Sequence, residues 1–471
     1  MDEFKGLSAL PNELLLQIIS YAGTLDKPPP TALTYKGEDH VNFTSTLQHP
    51  LKTIGSVCKR WQQIALPMLV QNSCVSMPIQ KEFYPPRRWL HVCMELMKAL
   101  TTRRDLIGHK SFIQRILDRH DESQRADEKF AEDGLVKLDG SFLDALPRGE
   151  RHLRWIVSMH SETEALLQFI SQHDLQGYVK TLTIYTEQAM QNRPHHVESR
   201  INKELCLLWK RIFKTVKPTA ITIVAPPTTM VDLGSSKEET FDTWAFEMHY
   251  HFLEYRLAKD EETDSERDRR VEYERRIENT LLPLHQRRPW THLTYNEGTL
   301  IRGYSHYEWQ EKEPPKLLRG LLGGISSSQR VSECPRIRSF AYVSYFPYSE
   351  HVRQVMISLS RLPTLRHIAV RFADTDIISD PEKLGKGQIA DCWEEWDLSY
   401  KAVLGSALWY LEPGATFESY DSQTQEVMAT IVDNVSALAP FMQRDGTQLR
   451  WRKSNLAESS ARSSRIQRNL K

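Results

Sequence analysis

Few side chains in this sequence have the types and spacing to do chemistry. Glu247, His249 and His251 alternate; on a strand they would share one face and make a carboxylate-and-imidazole set able to hold a transition metal. Phe246, Tyr250, Leu253 and Leu257 share that stretch at helical spacing. A helix would scatter the three groups, so a structural role is the favoured reading. His195 and His196 follow Pro194 in a loop-like context without a local third ligand, which fits a surface pair better than a metal site. Trp393 and Trp396 flank Glu394 and Glu395; at i, i+3 they could line a pocket, but more simply they mark the buried face of a helix. The sequence holds no GxSxG elbow, no GxxxxGK phosphate loop, no HExxH and no glycine fingerprint between a strand and a helix. Its six cysteines, at 58, 74, 93, 206, 334 and 392, form no CxxC pair. That argues against a zinc finger or disulfide framework and for mostly buried thiols. No catalytic residue, metal ligand or cofactor site is assigned.

The elements that carry a different kind of work, docking, lie near the N-terminus. In Leu10-Pro11-Asn12-Glu13-Leu14-Leu15-Leu16-Gln17-Ile18-Ile19, Pro11 suits the opening turn of a helix and Glu13 the positive end of its dipole. Leu10, Leu14 and Ile18 recur every four residues beside Leu15 and Ile19, an apolar stripe that needs a partner surface. Downstream, Ile54, Val57, Cys58, Trp61, Ile64 and Ala65 fall on one helical face, and Pro67 predicts that the helix stops there. Helices this short cannot enclose a large core.

On these residues the segment resembles the F-box, a compact helical motif with the pattern Leu-Pro-x-Glu-Leu-Leu-x-x-Ile, a connector, then Val-Cys-x-x-Trp. The resemblance implies binding to the small adaptor subunit of SCF-type ubiquitin ligases and, through it, to a cullin. Carried over by position, Leu10, Pro11, Glu13, Leu14 and Ile18 would form much of the adaptor-contacting edge; Val57, Cys58 and Trp61 would pack the module and complete that surface. The chain departs from the family in the connector, where Ala22 to Pro50 holds a long polar stretch with Gly23 and the run Pro28-Pro29-Pro30. Closure entropy rises slowly with loop length, so this insertion is tolerable if it loops out into solvent.

Composition bounds the rest. The chain has 471 residues, 40% hydrophobic and 26% charged, with 61 basic and 61 acidic side chains. It is globular, large enough for more than one domain, and carries no net field toward nucleic acid or an anionic membrane. Met1-Asp2-Glu3-Phe4 opens without a basic region before an apolar run, and no stretch matches a bilayer span, so the expected compartment is cytoplasm or nucleus.

Beyond the N-terminal module, helices alternate with strands. Leu166, Leu167 and Ile170 mark a helix before the strand Tyr178 to Ile184. Leu205, Leu208, Trp209 and Ile212 mark another before Ala220 to Val224. Val352, Val355, Met356 and Leu359 mark a third before Leu365 to Val370, with Ile337 to Tyr342 as a neighbouring strand. Such alternation indicates parallel pairing. Val-Lys-Thr-Leu-Thr-Ile and Leu-Arg-His-Ile-Ala-Val are similar to degenerate leucine-rich repeats; the alternative is a compact α/β domain without true repeats. Ala225 to Thr240, with paired prolines and serines, and Gly320 to Glu333, with glycines and a serine run, read as surface loops. Glu254 to Glu278 reads as a solvated helix face, and Arg452 to Lys471 as a disordered basic tail.

The expected architecture is therefore α/β with an N-terminal all-α module. Residues 1–77 hold the F-box module with its insertion at about 22–50, residues 78–451 an α/β substrate-binding region, irregular and leucine-rich-repeat-like, and residues 452–471 the tail. The expected function is a non-enzymatic substrate adaptor of an SCF-type ligase, without nucleic-acid or membrane partners. The competing readings are a non-ligase scaffold using an F-box-like surface and an enzyme whose dispersed residues meet in the α/β region.

Overall fold

The computed structural model describes residues 10–23, 29–38, 40, 41, 43, 49–77, 79–83, 153–157, 161–188, 198–235, 244, 248–305, 311–332, 336–373, 386–410, 414–421, 442–444 and 450–453. The chain is mixed α/β and divides into two units. One comprises residues 1–78, 159–191 and 200–471, the other 79–158 and 192–199. In the smaller unit the described strands β2 (Ile79–Phe83) and β3 (Leu153–Val157) pair antiparallel.

The larger unit starts with three helices, α1 (Asn12–Ala22), α2 (Pro50–Gly55) and α3 (Lys59–Gln71). Pro11 is the N-cap of α1 and sits just before its first turn, where its carbonyl accepts from Leu15 N at 3.0 Å. Ile19, Leu51 and Ala65 form a small core, with Ile54, Trp61, Ile64, Met68 and Leu69 packed around it. The continuous helical face expected from Ile54 to Ala65 is broken by a turn at residues 56–58, with Cys58 as N-cap of α3. Contrary to the expected stop, α3 runs through Pro67 to Gln71. An interior proline costs about 3 kcal/mol; burial of Val70 and packing of Met68 and Leu69 offset it.

A sheet of ten strands follows, in the order β1 (Asn72–Ser76), β4 (Thr181–Tyr185), β5 (Ala220–Ala225), β6 (His251–Arg256), β7 (His292–Thr299), β8 (Ser339–Tyr345), β9 (His367–Arg371), β10 (Thr416–Ser419), β12 (Arg450–Lys453), β11 (Met442–Arg444). Spatial order follows chain order from β4 to β10. Pairing is parallel on both sides of β4, between β7 and β8, and on both sides of β9. The reversed strand β6 is antiparallel to both neighbours. The three helix–strand units expected from the sequence are present as α4 (Ser161–Gln172) before β4, α5 (Glu198–Thr215) before β5, and α10 (Ser349–Leu359) before β9. β4 starts only at Thr181, because Gln176–Tyr178 forms a 3-10 turn.

Two expected surface loops are helices. α6 (Pro227–Leu233) lies within Ala225–Thr240, with Met230, Val231 and Leu233 buried. Its Pro227 stands at the first helical position, where proline starts a helix instead of breaking one. α9 (Leu317–Ser332) covers most of Gly320–Glu333 and buries Leu317, Leu318, Leu321, Leu322 and Ile325. Each glycine costs about 1 kcal/mol in a helix, and burial of five large apolar side chains outweighs that. The stretch Glu254–Glu278 is also not uniformly solvated. Glu254–Arg256 completes β6, and α7 (Asp264–Ile277) opens with a capping box between Thr263 and Glu266. The Arg270–Glu262 pair at 2.9 Å and the Arg288–Glu274 pair at 2.7 Å are largely shielded from water. The remaining helices are α8 (Ile301–Tyr304) and α11 (Lys386–Tyr410). β12 takes Arg452 and Lys453; residues 454–471 lie outside the described residues.

The insertion between α1 and α2 does not loop out into solvent where it is described. Ala32, Tyr35, Val41 and Phe43 join Tyr185, Val224, Tyr250 and Phe252 in one buried cluster. Tyr35 stacks on Phe252 with ring centroids 4.6 Å apart, and Phe43 sits 5.1 Å from Tyr185. Asn296 Nδ2 donates to the carbonyls of Ala32 and Tyr35 at 2.9 and 2.8 Å, and Arg371 Nη1 to that of Leu33 at 3.0 Å. The segment is a strap across the carboxyl ends of β4, β5, β7 and β9. Its aromatic burial is what the polar, proline-rich composition concealed.

Candidate functional site

The docking residues fall into two groups on α1. Leu15 and Ile19 are buried, whereas Leu14 and Ile18, at 45% and 41%, and Tyr21, at 87%, are exposed. Spacing of i, i+4, i+7 puts those three on one flank with Pro11, which is also exposed. Leu10 is half-buried and Glu13 exposed in the first turn. Arg60, at the start of α3, ties the beginning of α1 down: its Nε donates to Asn12 Oδ1 at 2.9 Å and its Nη2 to the Leu10 carbonyl. Val57, in the α2–α3 turn, is 62% exposed. Cys58 is an exposed free thiol, against the expectation that it packs the module, because its N-cap position turns it outward from the small core. Trp61 does pack, half-buried against the Ile19–Leu51–Ala65 core. Leu16 and Tyr21 are exposed apolar residues that the stripe argument missed; helical angle alone would have placed Tyr21 beside Leu14 and Ile18. On the opposite flank, Asn12, Leu16, Ile64, Met68 and Tyr178 line a cavity of about 470 Å³.

The second concentration of reactive groups lies under the strap. β7 is irregular at its carboxyl end, where the register with β8 shifts between Asn296 and Thr299. Gly298 there has φ +70°, and a Cβ on it would lie 3.1 Å from the Tyr35 ring; Gly37, with φ +95°, packs against Thr299 in the same way. Two glycines thus allow strap and strand to approach closely. The irregular end turns Glu297 into the interior, where it is 1% exposed. Its Oε1 accepts from His351 Nε2 at 3.0 Å, and its Oε2 from Tyr342 at 2.6 Å and Ser344 at 3.2 Å. Burial alone would raise this carboxyl; the His351 imidazole, with His251 and Tyr342, outweighs burial and holds it below its ordinary value. His251 Nδ1 meets the Tyr295 hydroxyl at 2.7 Å. Burial pushes this imidazole down to about 4, with Glu297 opposing and His351 adding to the shift. One more buried carboxylate, Asp421, accepts from the backbone N–H groups of Phe372 and Ala373, from Trp396 Nε1 and from the Tyr400 hydroxyl. Burial raises its carboxyl despite those donors.

These clusters spend their donors and acceptors internally. They can hold the strap and strand ends; they do not present a nucleophile or base to a cavity among the three cavities of 390–470 Å³ lined by described residues, none of which includes Glu297. Of the alternating set considered from the sequence, for which a structural role is the favoured reading, His251 opens β6 and faces Tyr295, His249 contacts Arg302, and Glu247 lies outside the described residues. Among the described residues no group of three His, Cys, Asp or Glu side chains could hold a metal ion. His195 and His196 also lie outside them. Trp396 is buried on α11, with the half-buried Trp393 packed on it and on Phe346. Burial pushes the Cys74 and Cys392 thiols up to about 12. No described helix is long and apolar enough to cross a membrane.

No family model, curated protein or solved structure matches the chain.

Proposed function

We propose that this chain is a substrate-recognition subunit of an SCF-type ubiquitin ligase, docking the adaptor subunit through the exposed flank of α1 and a protein substrate through the α/β region. The observation that carries the reading is the division of α1: Leu15 and Ile19 are used up by packing, while Pro11, Leu14 and Ile18 stay exposed among the described residues. Large apolar side chains grouped on one exposed flank are what a protein interface uses as anchors. The motif Leu10-Pro11-x-Glu13 and the segment Val57-Cys58-x-x-Trp61 stand on that flank and on the helices behind it. The parallel runs β1–β4–β5 and β7–β8–β9–β10 favour an irregular leucine-rich-repeat-like array interrupted by the reversed β6, and the extended sheet offers a long surface to a substrate. The ligase role asks for no catalytic side chain here, because holding substrate near a charged enzyme supplies the rate advantage by proximity.

Affinity purification of the full chain from cells tests the reading. Wild type should recover both adaptor and cullin, and Pro11→Ala with Leu14→Ala should lose both while remaining folded by circular dichroism. Recovery of the adaptor without cullin would favour the non-ligase scaffold; recovery of neither with wild type would sink the docking assignment.

A further inference from the structure

Far from α1 in sequence, a cavity of about 450 Å³ is lined by eight Lys and Arg side chains against two Glu. Its walls come from four segments: α5 and the residues after it give Lys210, Lys214 and Lys217, the turn after β6 gives Lys259, α7 gives Arg270, and the turn before β7 gives Arg287 and Arg288. The two acids, Glu274 and Glu278, are outnumbered four to one by the basic groups. Glu274 is engaged by Arg288 at 2.7 Å and Arg270 at 3.5 Å, and Arg270 is also held by Glu262. Among the described residues Lys210, Lys214, Lys217, Lys259 and Arg287 form no close ion pair with a carboxylate, although Glu274 and Glu262 act on Lys259 from further away. Arg287 and Arg288 are both buried. Backbone carbonyls orient them: Arg287 donates to Leu282 at 3.2 Å and Cys206 at 3.1 Å, and Arg288 to Lys217 at 3.4 Å and to Pro218. Among the described residues no hydrogen bond engages Arg287 Nη1. The negative end of the α5 dipole accounts for Lys214 and Lys217; Lys259 and Arg287 belong to other elements and owe nothing to it.

We propose that this cavity is a binding site for a polyphosphate group. Preoriented guanidinium groups and converging ammonium groups match the several charges and tetrahedral oxygens of such a ligand. The volume is in the range of small-molecule sites. Crowding among the cations supports the assignment. Burial, then Arg288 and Arg270, lowers the Lys259 ammonium from its ordinary value against the opposing pull of Glu274 and Glu262, and burial lowers Arg287. A bound polyanion relieves both effects.

The test uses the full chain without any partner, so its outcome is independent of adaptor docking. Titration with tripolyphosphate should show saturable binding, weakened at least about ten-fold by Lys214→Gln with Lys259→Gln, which are exposed positions whose loss leaves the fold intact. Arg267→Gln, on α7 but outside the cavity, should bind as wild type does. Sulfate at matched ionic strength should compete poorly. Co-sedimentation with phosphoinositide vesicles that the double variant abolishes would assign the phosphates to a lipid headgroup; tripolyphosphate binding without vesicle binding would assign them to a free small molecule. Equal affinity of wild type and double variant for both probes, or equal binding of sulfate, would overturn the site.

Discussion

On α1 large apolar side chains lie in water, and at the carboxyl ends of β7 and β8 charged ones lie out of it. Both regions invert the usual partition of a folded chain, and such inversions are informative where a scattered exposed leucine is not. They differ in what is left over. Leu14 and Ile18 stay exposed among the described residues, which is what the proposed docking flank requires. Glu297 has both oxygens satisfied by His351, Tyr342 and Ser344, and Asn296 beside it is spent on the strap carbonyls. The buried region is complete within the chain, and its work is to fix the connector between the two halves of the helical module onto the sheet.

The sharpest way to break this comparison is Glu297→Ala. The change leaves three buried partners unpaired and should cost about 3–5 kcal/mol, read as a fall in the urea midpoint at neutral pH. A loss below about 1 kcal/mol would mean the cluster is not the internally closed device described above. Next in size is Tyr35→Ala. Its ring is buried and stacked on Phe252, so truncation should cost about 3 kcal/mol and hasten protease cleavage within residues 29–43. If cleavage there is unchanged, the strap is not held by its aromatic contacts.

The two regions were unequally legible in the sequence. The helix–strand alternation around Leu166, Trp209 and Val355 announced itself by period, since each element buries one face against its neighbour. α9 is hidden in the sequence because Gly320, Gly323 and Gly324 signal a loop more strongly than the leucines spaced among them signal a helix. The strap carries no period: Ala32, Tyr35, Val41 and Phe43 are irregularly spaced, with an exposed Leu33 among them, and belong to no helix or strand. Glu297 was invisible for another reason. Its partners His351 and Tyr342 come from α10 and β8, and proximity between distant segments is a property of the folded sheet, not of any window of sequence.

A smaller effect separates the buried region by its response to acid. His251 is neutral in the folded chain, its imidazole lowered from 6.5 to about 4 by burial. Below pH 6.5 the unfolded chain takes up a proton that the folded chain refuses, so stability is present above that pH and is lost as pH falls toward 4. Between pH 7 and pH 5 the loss from this group alone is roughly 2 kcal/mol. His251→Gln should flatten the stability–pH profile by that amount over the interval, measured by urea unfolding at each pH. An unchanged slope would show that His251 is protonated inside the fold.

The smallest change in stability should come from α1, and there the contrast is sharpest. Ile18→Ala with Tyr21→Ala removes two exposed side chains and should alter the unfolding free energy by less than about 0.5 kcal/mol per site. Leu15→Ala, one position from Leu14 on the same helix, empties a buried position and should cost about 2–4 kcal/mol. Binding to purified adaptor should show the opposite ranking. The exposed pair should weaken it at least about ten-fold, equivalent to 1.4 kcal/mol, whereas Leu15→Ala, assayed at a temperature where it remains folded, should retain most of its affinity. If the exposed pair instead lowers stability and leaves adaptor affinity untouched, the flank is covered by the chain itself, and the distinction between apolar residues left for a partner and charges consumed within the fold fails at its first term.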